Sequence, residues 1–67
     1  MTRKDYVKIA AILARRHRLA EQEFAVSSTE RWAVRETLDM MATDMAIMFT
    51  EDNPRFDRAR FEAACQA

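Results

Sequence analysis

The chain has 67 residues, with eleven basic and eleven acidic side chains, one cysteine, one proline and no glycine. That length allows one domain, spanning residues 1–67, whose single small core supplies on the order of 3–5 kcal/mol of net stability. Lone Cys65 excludes an internal disulfide and suits a reducing compartment, and the balanced charge offers no field of one sign for unspecific nucleic-acid binding.

No apolar run approaches the roughly 18–20 residues a membrane span requires. The opening Thr2-Arg3-Lys4-Asp5 lacks the basic, apolar, small-residue order of a signal peptide. A cytoplasmic location is therefore expected, and no membrane partner. Without glycine, hairpin turns that need positive φ are hard to build, while Ala, Glu, Arg and Met favour helix. The expected fold is all-α, a small three-helix bundle with helices at about residues 3–17, 28–51 and 54–65.

The first helix starts after Thr2, whose hydroxyl can cap the first turn, with Asp5 three residues on as a short-armed capping box. At 100° per residue, Tyr6, Ile9, Ala10, Leu13 and Ala14 share one face and Lys4, Lys8 and Arg15 the opposite one. Ile12 falls off the stripe, either exposed or a contact for something else. The helix is expected to end around residues 16–18, where cations suit the negative end of the helix dipole. Residues 18–27 read as a loop whose Phe24 and Val26 tuck under the bundle, with a continued first helix as the alternative.

Ser27 and Glu30 have capping-box spacing and open the second helix. Its main apolar stripe is Val34, Leu38, Met41, Met45, Met48 and Phe49, expected to face the core. A second stripe of Ala33, Met40 and Ile47 is spaced by sevens about 130° round, with Trp32 between the faces. Either the third helix or another chain covers that seam. Asn53-Pro54 then ends the turn and caps the third helix, because a residue before proline is pushed out of the α region and proline suits the first helical position. Between Phe56 and Phe61 lie Asp57 and Arg60, read either as an ordinary surface pair or as a partly desolvated one that would make Arg60 the costliest arginine to remove.

The stretch from Asp52-Asn53-Pro54-Arg55-Phe56-Asp57-Arg58-Ala59-Arg60-Phe61 through Cys65 resembles the ending of small uncharacterised bacteriophage proteins of actinobacterial phages, and Thr2, Arg3 and Tyr6 resemble their opening. The likeness covers the last quarter of the chain and, more loosely, its first dozen residues. It implies a phage gene product working in the host cytoplasm and supplies no activity.

No enzyme is expected. Cys65 and His17 are the only nucleophile and base that could pair, and Cys65 is placed in a terminal turn expected to fray. One His and one Cys without a carboxylate cluster make no metal site, and a chain without glycine has no phosphate loop, so no cofactor is expected. Arg15, Arg16 and Arg18, beside His17, form the densest basic cluster. They read either as a grip on phosphates or an acidic partner, or as a dipole-complementing helix end. The expected function is a non-enzymatic helical protein–protein interaction module that binds a partner or itself as a homodimer, through Trp32, Ala33, Met40 and Ile47. The alternative is a small DNA-binding regulator with a helix-turn-helix-like arrangement, using Arg15, Arg16 and Arg18 or Arg55 and Arg58. Glu51, Asp52 and Glu62 beside the latter pair would repel a polyanion.

Overall fold

The computed structural model describes residues 1–23 and 27–67, and in it three helices pack against one another as an all-α bundle: α1 (Arg3–Glu23), α2 (Ser28–Asp52) and α3 (Arg58–Cys65). Among the described residues no helix is long and apolar enough to cross a membrane.

α1 opens on a one-sided capping box. The Asp5 carboxylate accepts from the Thr2 backbone N–H at 2.9 Å and from the Thr2 hydroxyl at 3.3 Å, so the hydroxyl donates instead of capping an amide. These contacts, the backbone one first, hold the exposed Asp5 carboxyl below its usual pKa. The helix does not end near residue 17 as expected, but runs on to Glu23. Nothing in the added residues breaks a helix, and buried Ala20 carries the apolar stripe on to two turns beyond Leu13. The placement of Phe24 and Val26 lies outside the described residues.

α2 begins at its expected cap. Ser27 is extended (φ −151°, ψ 151°) and its hydroxyl accepts from the Glu30 N–H at 3.1 Å. The helix ends at Asn53, whose N–H donates to the Phe49 carbonyl at 2.9 Å. Asn53 does not cap α3. Its side-chain oxygen accepts from the Arg55 N–H at 3.1 Å, and its carbonyl accepts from the Phe56 N–H at 2.9 Å, closing a four-residue turn with Pro54 at its second position. The cap of α3 is Asp57, whose carboxylate accepts from the Arg60 N–H at 3.1 Å. α3 is therefore only eight residues long.

This cap also settles how Asp57 relates to Arg60: the carboxylate holds the Arg60 backbone, and the Arg60 side chain is exposed. The special cost expected for Arg60 thus moves to Asp57. Asp57→Ala should destabilise the fold by about 1 kcal/mol, the usual worth of a cap, while Arg60→Ala stays within about 0.5 kcal/mol of the parent. Urea melts of the two variants decide between the readings.

The core runs through Tyr6, Ala10 and Leu13 of α1, Leu38, Ala42, Ala46 and Phe49 of α2, and Phe61 and Cys65 of α3. Tyr6, Phe49, Phe56 and Phe61 make a cluster of rings with centroids 4.6–5.5 Å apart, mostly tilted or edge-on. Met41 and Met48, expected in this core, are 42% and 56% exposed. Alanines take their place. Ala46 is fully buried and Ala42 nearly so, facing Ala10 and Ala14 of like burial on α1, and side chains this small let the backbones approach too closely for a methionine on the shared face.

Tyr6 packs tilted against Phe49 with ring centroids 4.9 Å apart and His17 meets Asp39 at 3.3 Å, so α1 and α2 run antiparallel with residue numbers summing to about 55 standing level. Phe61 packs on Phe49, and Gln66 reaches Asp39, so α3 returns alongside α1. At 1.5 Å per residue α3 is about 12 Å long, against about 37 Å for α2. The molecule is accordingly a rod of 41 × 18 × 14 Å with a radius of gyration of 12.8 Å, where a compact chain of this length would have about 11 Å.

Candidate interaction surface

Cys65 and His17 make no catalytic pair. Cys65 is fully buried, not frayed, and its thiol is pushed up to about 11, first by burial and then by the Glu62 and Asp39 carboxylates. A thiol held neutral in this way is no nucleophile at neutral pH. His17 is nearly buried, with its Nε2 3.3 Å from Asp39 Oδ1 in a contact not aligned as a hydrogen bond. Gln66 donates to the same oxygen at 3.4 Å, and Arg18 donates to the Ala67 carbonyl at 3.0 Å. This polar latch holds the chain's last residues across α1 and α2, which is why the final turn is tucked in. Among the described residues no group of three or more His, Cys, Asp or Glu could hold a metal ion.

The two arginine groups are not equivalent. With α1 extended to Glu23, Arg15, Arg16 and Arg18 lie inside the helix and not at its end, and its last turn carries no cation. They do not serve the helix dipole. Arg15 and Arg16 are exposed, while Arg18 is spent on the latch. Arg55 sits in the turn before α3, and Arg58 is paired with Glu62 at 3.2 Å.

Zero net charge conceals a segregation. α2 carries six acidic residues against Arg31 and Arg35, with no cation from Glu36 to Asp52, whereas α1 carries six basic residues against three acidic. The seam expected from the sequence lies on the acidic helix: Trp32 and Met40 are 62% and 59% exposed, Ile47 is 44% exposed, and Ala33 is exposed too. On the helical wheel Ala33, Met40 and Ile47 point nearly opposite the buried arc of Leu38, Ala42 and Phe49, so neither α1 nor α3 covers them.

A second apolar face was hidden in the stripe assigned to the core. On α2 the Asp39 side turns to α3, since Asp39 meets Gln66. Met41 and Met48 lie about 160–180° round from Asp39, on the opposite flank, with half-buried Val34 and Met45 between them and the core. Across from them on α1 are half-buried Ile9 and Ile12, the latter 61% exposed. By the antiparallel register Ile9 and Ile12 stand about level with Met48 and Met45. The two long helices thus present a shared apolar strip on the side away from α3. The one sign of it in the sequence was Ile12, which fits no inward stripe.

No protein-family model, curated protein or solved structure matches this chain.

Proposed function

We propose that this protein is a non-enzymatic helical interaction module that self-associates, pairing the open α1–α2 strip of one copy with that of another. The exposure of Ile12, Met41 and Met48 along one side of the two long helices carries this reading. Total area supports it. A compact monomer of 7.8 kDa would expose about 4,400 Å², whereas this chain exposes 5105 Å². The excess, roughly 700 Å², is close to the ~800 Å² each partner buries in a standard interface. A two-fold copy also closes the fold as a four-helix arrangement of α1, α2 and their mates, the packing in which long antiparallel helices cover both flanks. The strip carries charges of both signs at its edges, Arg16 on α1 and Asp52 on α2, which such a copy can pair.

The resemblance of the C-terminal segment to phage proteins supports a phage-encoded accessory role in the host cytoplasm. DNA binding has weaker support. An eight-residue α3 whose Arg58 is tied to Glu62, next to an α2 without cations over its second half, makes a poor recognition element.

Sedimentation equilibrium at low and high concentration tests the proposal. The parent should be dimeric and Met41→Glu/Met48→Glu monomeric with its helicity kept, while Met40→Glu/Ile47→Glu remains dimeric. If the second pair dissociates the dimer and the first does not, the contact is the heptad seam with Trp32, and the open strip is the wrong face. A parent that stays monomeric throughout overturns self-association.

A further inference from the structure

On the far side of the rod, between the start of α1 and the segment leading into α3, lies a groove of about 340 Å³. No residue of α2 lines it. Its walls are apolar and aromatic, with Tyr6 and Ala10 from α1 facing Phe56 and Phe61. Three arginines, Arg3, Arg55 and Arg60, stand at its rim. Asp57 is the one carboxylate there, and it is committed to the Arg60 backbone. Among the described residues none of the three guanidinium groups has an ion-pair partner. In addition, Tyr6 is 92% buried, and its hydroxyl has no hydrogen-bond partner.

We infer that this groove binds a small aromatic carboxylate, with its ring against Phe56 and Phe61 and its carboxylate between the rim arginines. The size fits: 340 Å³ lies at the lower end of the range for small-molecule sites, roughly 300–1,000 Å³, enough for one fused ring system and too short for a bound helix. The chemistry fits as well, because guanidinium groups grip planar carboxylates through paired N–H donors. Neither the α1–α2 strip nor self-association enters this inference.

The test is an amide-resonance NMR titration with naphthylacetate as probe, beside naphthylacetamide, which has the ring without the charge, and acetate, which has the charge without the ring. Naphthylacetate should bind saturably and shift residues around Tyr6, Val7, Phe56 and Ala64, with both controls at least about tenfold weaker. Arg60→Gln and Arg55→Gln should each weaken it. Tyr6→Phe should leave the binding within about twofold and the fold at least as stable, because the hydroxyl it removes is buried and has no partner. Equal binding of the amide, or shifts confined to the α1–α2 strip, would overturn the assignment. So would an absence of saturable shifts with naphthylacetate.

Discussion

Phe49→Ala should leave the chain largely unfolded at 25 °C. Phe49 and Phe56 each touch all three other rings of the cluster, and of the two only Phe49, which joins Tyr6 of α1 to Phe61 of α3, is buried. It is 3% exposed. Truncating a buried phenylalanine costs about 3–5 kcal/mol, and a core of this size supplies about that much in total. Far-UV circular dichroism should therefore lose most of its helical signal in the variant and keep it in Phe56→Leu, where a half-buried ring gives way to a smaller apolar group. If Phe49→Ala still melts cooperatively near the parent's temperature, the rings are not the centre of the fold. A self-associating parent would raise the starting stability by mass action, so the comparison belongs at one fixed, low concentration.

The elements that local chemistry decides are legible in the sequence. Ser27 starts α2 because a hydroxyl three residues before Glu30 in an extended backbone caps that amide, and the lack of glycine leaves helix as the only economical regular structure. What could not be read were choices between two locally acceptable answers. Residues 18–23 suit helix or loop equally by composition, and tertiary contacts tip them into α1: Ala20 is buried, and Arg18 finds the Ala67 carbonyl 49 positions away. Asn53 and Asp57 are both competent caps, and the four-residue turn through Pro54 takes the first and leaves α3 to the second.

The inward face of α2 differs from the expected one for a related reason. Hydrophobicity alone ranks methionine above alanine, so the stripe through Met41, Met45 and Met48 looked like the inward one. Packing ranks by shape as well. Three helices meeting on a common line favour the residues that let them approach, and Ala42 and Ala46 do so where methionine would hold them apart. The periodicity of α2 is therefore right in period and wrong in phase by about 60–80°. The displaced methionines are what gives the molecule an apolar outer face.

Cys65 provides the sharpest probe of whether α3 is truly part of the core. The thiol is fully buried in the last turn of the chain's shortest helix, where a free end would ordinarily fray. Two things hold it: Phe61, one turn earlier, inserted beside Phe49, and the latch in which Gln66 reaches Asp39 and Ala67 receives Arg18. If these act together, α3 leaves only when the whole fold opens. Alkylation of Cys65 by iodoacetamide near neutral pH should then run roughly two to three and a half orders of magnitude slower than in urea-unfolded chain, which is about 3–5 kcal/mol of opening converted at 1.4 kcal/mol per factor of ten. Arg18→Ala should speed the labelling more than Arg15→Ala, since only Arg18 touches the C-terminal carbonyl. The thiol also sets a pH dependence. Its pKa rises from 9.0 to about 11 on folding, so the native state holds its proton more tightly than the unfolded chain. The stability this contributes is whole below pH 9 and drains away as the pH climbs towards 11. A Cys65→Ala variant should lose less stability than the parent over that interval, and labelling at the unfolded rate in native buffer would mean that the last turn of α3 is open.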